Sequence, residues 1–423
     1  HGVLVDCLTG RLVALGLAAV GSPSLLLERR GGGTDRPGYL APPTRDRADS
    51  PAAVFAREAV PRWFGDARVT PAPLPADEGA LLTIMRRAGA HGPPLLVVPL
   101  ERPEVVELAY QAVAGGALAR RQVRVVATGP RGCALVIPDP ERAEEQIEAM
   151  AAVLAGNDGG EPRALDAALI AAGMLLHEAR LLAGAGLPGV EERPADDLCV
   201  LRLPDVPGRA ETRSLCVGAG GIGAILALMG IAPAARSGDA LTLVDGDTVA
   251  EHNLLLHRWR GRPKVEALQR ELLASSGDLD VAVIAHMVEE GTRLPAANVV
   301  YAVTDTARSR LLVERALPDA AGPLVCAGSS LDGAEAFVTG GGPACVACRY
   351  PPGALAAPGG GACARNPALF CTNMIAAGLA LALGRRAGWE QFLQSDRGAC
   401  RYRATTLRGD RFVAELPQRC HHR

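Results

Sequence analysis

Three stretches in the second half of the chain bring together residue types that handle phosphate. Gly218-Ala-Gly220-Gly221-Ile-Gly223 follows the apolar run Ser214–Val217. Glycines let the backbone approach a phosphate, and a helix opening behind them supplies N–H donors and the positive end of its dipole. Alone, such a turn is the signature of a dinucleotide-binding dehydrogenase. The residues beyond it point elsewhere. Asp245-Gly-Asp247-Thr-Val249-Ala-Glu-His-Asn253-Leu254 leads to Gly261-Arg-Pro-Lys264-Val-Glu266-Ala267, and Asp305 ends a later apolar run. A nicotinamide enzyme uses the first acid for ribose, but has no need of an amide, a cation and a second strand-end acid around one loop. That set suits phosphoryl chemistry, where positioning and charge neutralisation do most of the catalysis. Of the 44 Lys and Arg residues, Lys264 is the one lysine; the other 43 (44 less this one) are arginine.

Strands and helices must hold these residues in place. Ser214–Val217, Leu241–Val244, Val281–Ile284 and Val299–Val303 read as buried strands, with helices from Ala224 to about Ile231 and from Lys264 to about Leu273 between them. Alternation of this kind predicts a mostly parallel sheet of nucleotide-binding type. The first half reads as a degenerate copy. Val3–Val5, Ser24–Leu27, Pro94–Pro99 and Val123–Val126 are its strands and Gly10–Val20 its first helix. Ala167–Leu182 (AALIAAGMLLHEARLL) resembles Thr372–Leu383 (TNMIAAGLALAL), and each precedes a strand pattern, near Leu198–Leu203 and Tyr402–Leu416. An internal duplication of about 205 residues follows, with the Pro/Gly-rich segment Asp205–Thr212 as linker. The expectation is an α/β protein of two tandem Rossmann-like doubly wound sheets: a nucleotide-free domain at 1–205 and an active domain at 213–423. The first copy has Asp6-Cys-Leu-Thr where the second has glycines, and it has no lysine. An acid and side chains with Cβ atoms at that turn repel a pyrophosphate.

The second-half motifs resemble those of the ThiF/MoeB-type adenylyltransferases, the superfamily of ubiquitin-activating enzymes. That family carries GxGGxG, then DxDxVxxSNLxRQ, then GxxKA, then a strand ending in TDN. The matches are Gly218–Gly223, Asp245, Asp247, Val249, Asn253, Leu254, Gly261, Lys264, Asp305 and Arg310. The resemblance runs from Leu215 to the C-terminus and, more weakly, through the first half. It implies ATP-dependent adenylation of a carboxylate with release of pyrophosphate, then transfer of the acyl group to sulfur or an amine. Gly218, Gly220, Gly221, Gly223 and Asp247 would line the nucleotide, and Asp245 would hold the ribose. Lys264 and Asn253 would contact phosphate oxygens, Asp305 would hold Mg²⁺, and Arg310 would support the site. The carboxylate would be the C-terminus of a ubiquitin-like sulfur carrier or of a peptide. Peptide tailoring in natural-product biosynthesis and a non-catalytic scaffold for a leader peptide or carrier are the alternatives. The fused layout implies a pseudo-dimeric monomer, with a homodimer as the other arrangement.

The sequence departs from the pattern twice. Leu255-Leu256-His257 stands where the family has xRQ, so Arg258 or Arg260 would have to reach the same phosphate, and Thr306 replaces the Asn after the strand-end acid. The resemblance also bears on the cysteines. Cys345-Val-Ala-Cys348 allows two thiolates on one tetrahedral Zn²⁺. The family's second pair follows a C-terminal strand, where Cys420-His421-His422 stands here. A structural zinc on Cys345, Cys348, Cys420 and His422 is one reading; plain thiols, or Cys400 as a ligand, are others. Cys363, in a Pro/Gly-rich stretch like the family's crossover loop, is either an acyl-accepting nucleophile or an uninvolved thiol. Cys216 and Cys326 read as core strand residues, and His177, on an apolar helix, as structural.

Composition sets the remaining bounds. Hydrophobic residues make up 48% of 423 and charged residues 21%, ample for two cores. A net charge of −2 gives no basic field for nucleic acid. No apolar run is long enough for a membrane span, so no membrane partner is expected. Residues 1–27 are broken by Asp6 and Arg11 and lack a basic start, unlike a signal peptide. Eleven scattered cysteines do not form a secreted disulfide framework, so a reducing cytoplasm is the expected compartment.

Overall fold

The computed structural model describes residues 2–19, 22–28, 51–60, 64, 69–155, 164–185, 198–203, 212–275, 278–339, 345–356, 368–385, 399–403 and 412–415. The chain divides into two compact units, one built on His1–Leu203 and the other on Pro204–Arg403. The expected linker falls almost wholly on residues 204–211, outside the described set.

The first unit holds strands β1 (Gly2–Val5), β2 (Ser24–Glu28), β3 (Val69–Pro73), β4 (Leu95–Pro99), β5 (Val123–Gly129), β6 (Gly132–Val136) and β7 (Leu198–Arg202). Their order is β3-β2-β1-β4-β5-β6-β7. Pairing is parallel from β3 through β5 and antiparallel from β5 to β7. Central parallel strands are covered on both faces, which is why Val3–Val5 and Leu95–Val98 are uninterrupted apolar runs. β3 (VTPAP) carries two prolines and takes the sheet edge, where a missing N–H is tolerated. One face of the sheet packs Val3, Val5, Leu96, Val98 and Val125 against Val105, Ala109 and Met150 from its helices.

The second unit repeats that plan. Its strands are β8 (Arg213–Val217), β9 (Ala240–Val244), β10 (Asp280–Ile284), β11 (Val299–Ala302), β12 (Leu324–Ser329), β13 (Gly333–Thr339), β14 (Ala399–Arg403) and β15 (Phe412–Glu415). The order β10-β9-β8-β11-β12-β13-β14 matches the first sheet strand for strand, with β15 added beyond β14. The sense of each pairing matches too, and β12 to β15 form the expected antiparallel extension. The chain is therefore a tandem of Rossmann-like sheets. In each unit a long buried helix, Leu165–Leu182 or Phe370–Arg385, precedes the last paired strand of the shared plan. The helix after β8 begins at Gly221, three residues before the expected Ala224, and continues from Leu226 to Ile231 in wider π-type turns. Among the described residues no helix is long and apolar enough to cross a membrane.

Candidate nucleotide site

In an open α/β sheet, ligands bind at the carboxyl ends of the strands where the order reverses. In the second unit that place lies between β8 and β11. The glycine turn leaves β8 there. Gly218 has φ +104°, and its N–H donates to the Val244 carbonyl at 2.8 Å. A Cβ on Gly218 would sit 2.8 Å from the Val303 carbonyl oxygen, so both conformation and crowding require glycine. A Cβ on Gly223 would drive into the Gly218 carbonyl, whereas one on Gly220 would meet nothing within 4 Å. Gly223 serves tight packing of the turn, and Gly220 borders space that a ligand can enter.

Acidic and basic groups surround the turn. Asp245, at the end of β9, accepts the Ala219 N–H at 2.7 Å and the Asp247 N–H at 2.8 Å. These bonds tie the strand end to the turn. Burial pushes the Asp245 carboxyl above its ordinary range, although those N–H bonds and Lys264 oppose the shift. The loop after Asp247 folds back on itself: Val249 N–H donates to the Arg262 carbonyl and Lys264 N–H to the Asp247 carbonyl. Lys264 Nζ consequently lies 2.7 Å from Asp247 Oδ2, with its stem largely buried. Burial works against the ammonium, but Asp247, Asp245 and Asp305 together hold its pKa above the ordinary lysine value. Asp305 is exposed at the end of the neighbouring strand, close enough to act on Lys264. Asn253 is buried; its Oδ1 accepts the Ala250 N–H at 2.8 Å, and Nδ2 has no hydrogen-bond partner among the described residues. The fold thus brings Lys264, Asp245, Asp247 and Asp305 together beside the glycine turn.

Residues 209–383 match the ThiF family. This segment is a ThiF family domain. Solved structures of E. coli MccB are similar to part of the chain. One is 17% identical and covers 49% of this chain and 63% of its own, with a TM-score of 0.37. A second, of MccB with AMPCPP and selenomethionine MccA, is 17% identical over 50% of this chain and 65% of its own, with a TM-score of 0.36. The chain thus spans less than two thirds of the length of those proteins, and at such scores the likeness bears on neither substrate nor partner. No curated protein matches the chain.

Within the ThiF domain, two residues named for nucleotide contact are engaged elsewhere. Arg258 binds the buried Glu271 carboxylate through Nε at 2.6 Å and through Nη2, and lies over the Trp259 ring. Trp259 Nε1–H donates to the same Glu271 oxygen. In this conformation Arg258 fastens the loop to the helix Lys264–Ser275. Arg260 is exposed, 4.0 Å from Glu251. Arg310 is buried and donates to the Thr304 carbonyl at 3.2 Å, the Ala327 carbonyl at 2.8 Å and the Tyr350 hydroxyl. It braces the strand end that presents Asp305. Thr306, where the family has Asn, caps the helix Ala307–Ala316: its Oγ1 accepts the Ser309 N–H at 3.0 Å.

Sequence reasoning passed over Ser329 and Asn373. Ser329 Oγ–H donates to Asn373 Oδ1 at 2.5 Å beside the turn. Only the crossover from β12 to the helix Phe370–Arg385 brings the two together, so no local motif marks them.

The cysteine expectations divide. Cys345 and Cys348 place their sulfurs 3.5 Å apart. Cys420, His422 and Cys363 lie outside the described residues. Among the described residues no group of three or more His, Cys, Asp or Glu side chains could hold a metal. Among the described residues, these two thiols supply half of a tetrahedral set. Cys400 lies buried on β14, where burial pushes its thiol up to about 12. Cys216 and Cys326 are buried strand residues with thiols also raised to about 12 by burial. His177 is fully buried.

The first unit shows the corresponding place filled. Asp6 N–H donates to the Leu27 carbonyl at 2.8 Å, the same bond that Gly218 makes to Val244. Five residues on, where the second unit has Gly223, Arg11 binds Asp6 through Nε at 2.6 Å and Nη2 at 2.9 Å. Its guanidinium also lies 5.8 Å from the Phe55 ring centroid. Burial raises the Cys7 thiol to about 12, so the turn carries a neutral sulfur and an internal ion pair.

Proposed function

We propose that the protein is an ATP-dependent adenylyltransferase acting on a carboxylate. The observation that carries this reading is the convergence of Lys264, Asp245, Asp247 and Asp305 on the Gly218–Gly223 turn within a ThiF domain. A carboxylate oxygen attacks the α-phosphorus, the bond to the β-phosphate oxygen breaks, and pyrophosphate leaves. Backbone N–H groups at Gly220–Gly223 and the Lys264 ammonium neutralise the negative charge that builds there. Asp245 would hold the ribose hydroxyls and Asn253 Nδ2 a phosphate oxygen. Asp305, exposed at the strand end, would hold Mg²⁺, which would supply charge neutralisation for the departing pyrophosphate. In the second stage a thiol or amine attacks the acyl carbon, loses its proton and displaces AMP.

The substrate in this reading is the C-terminus of a peptide or of a ubiquitin-like carrier. The degenerate first unit takes the place of a second subunit, as a fused pseudo-dimer. ATP–pyrophosphate exchange with candidate peptides and carriers tests it: label returns to ATP only with the right carboxylate present. A chain that binds no ATP and exchanges with no carboxylate is no adenylyltransferase. The engagement of Arg258 on Glu271 favours a second reading, a scaffold that binds a leader peptide or carrier without chemistry. Peptide binding without ATP binding would select it.

A further inference from the structure

Asn373 stands at the start of the helix Phe370–Arg385 and belongs to no motif of the nucleotide site. Its Oδ1 accepts the Ser329 hydroxyl at 2.5 Å. Nδ2 then faces the glycine turn, where a methyl group on Gly221 would come within 2.6 Å of it. Among the described residues Nδ2 donates to nothing. Asn253 has the same construction, with Oδ1 held by a neighbour and Nδ2 open. The support behind Asn373 is rigid. Thr372 Oγ1–H donates to the Ser330 carbonyl at 2.7 Å and Oγ1 accepts the Leu369 N–H at 3.1 Å, fastening the helix start to the end of β12. The strand order puts Asp245 on one side of the turn, at β9, and Ser329 on the other, at β12.

We infer that the Asn373 amide, oriented by Ser329, donates a hydrogen bond to the nucleotide phosphate that rests on the glycine turn, the one next to the ribose. The inference rests on the nucleotide-site reading above. A neutral donor locked in place before the ligand arrives stabilises an oxyanion without reorganising. The turn supplies its backbone N–H groups from one side, Asn253 and Lys264 lie toward β9, and Asn373 closes the β12 side. As a contact to the first phosphate, it persists in AMP and in the acyl-adenylate.

Calorimetric titration of the whole chain with ATP, AMP and adenosine, in the presence of Mg²⁺, tests this. Loss of a hydrogen bond to a charged oxygen in Asn373→Ala is expected to weaken ATP and AMP by about 10–100-fold and to leave adenosine unchanged. Asn373→Asp keeps the acceptor for Ser329 but places an anion against the phosphate, so it is expected to weaken ATP and AMP at least as much. Ser329→Ala, which only unfastens the amide, gives a smaller loss in the same direction. Thermal melting of each variant reports folding independently. Wild-type affinity for ATP and AMP in a folded Asn373→Ala overturns the inference alone. An equal loss for all three ligands also overturns it, since that marks a distorted turn. A wild-type chain that binds none of the three overturns the nucleotide-site reading together with it.

Discussion

Lys264 shows how one side chain is tuned by its surroundings. Its stem is buried, which opposes charge, but three carboxylates keep the ammonium protonated through the neutral range. A compact ammonium on a flexible stem can leave Asp247 and follow a phosphate, whereas a guanidinium is held in its planar fork. Lys264→Ala is expected to lower the rate of ATP–pyrophosphate exchange by about 10²–10³-fold, and Lys264→Arg to restore little of it. Wild-type exchange in the alanine variant would remove Lys264 from the site. Asp245 yields a pH prediction. Burial raises its pKa, so it picks up a proton at a higher pH than an ordinary aspartate. Only the ionised form accepts from ribose hydroxyls while also holding the two N–H groups. ATP affinity should therefore fall as pH drops toward the acid range, beginning above the ordinary aspartate value, and Asp245→Asn should flatten that part of the titration. The sign for folding is opposite. A raised folded pKa means that the native state binds the proton more tightly, so this group alone adds stability as pH falls.

At the scale of elements, the glycine turn separates folding from binding. Gly220→Ala introduces a methyl group into open space at φ −75°, which alanine adopts. It should melt like wild type yet lose affinity for ATP. Gly223→Ala collides with the Gly218 carbonyl and should lower stability outright. Thermal melting and calorimetry on the pair would distinguish the two roles, and equal behaviour would contradict them. Thr306 is a second case. Thr306→Ala loses the cap of the Ala307–Ala316 helix and about 1 kcal/mol, read as a lowered melting temperature, while Thr306→Asn keeps the cap. The departure from the family pattern at this position is thus satisfied locally. Most of the parallel strands could be read from apolar runs bounded by turn residues. β3 was hidden by its two prolines, which suit an edge and would be excluded from a centre. β6 was hidden because Pro130 and Arg131 turn the chain directly back from β5. The Ser329–Asn373 pair, 44 residues apart, depends on a crossover that no periodicity reports.

For the whole molecule, two copies of one strand plan carry, among the described residues, one glycine turn of the proposed nucleotide site. Calorimetry should give one ATP per chain, and Gly220→Ala in the second unit should remove all of it; two sites would contradict the assignment. The first unit has a core of its own and, inside it, the Arg124–Glu178 pair at 2.9 Å with both side chains nearly inaccessible. Removing one partner strands the other charge, so Glu178→Gln should cost about 3–5 kcal/mol of unfolding free energy, measured by urea titration. ATP affinity in the folded variant should be unchanged, because the residues proposed to hold the nucleotide lie in the second unit.

The Asp6–Arg11 pair makes its turn self-contained, because both charges already sit within it. Replacing Arg11 alone leaves a half-buried acid where a phosphate would come, and replacing Asp6 alone leaves a cation without its counterion. Either replacement leaves a largely buried charge uncompensated and should lower stability. The pair therefore neutralises the turn from within, and an outside anion would have to displace Asp6 from Arg11.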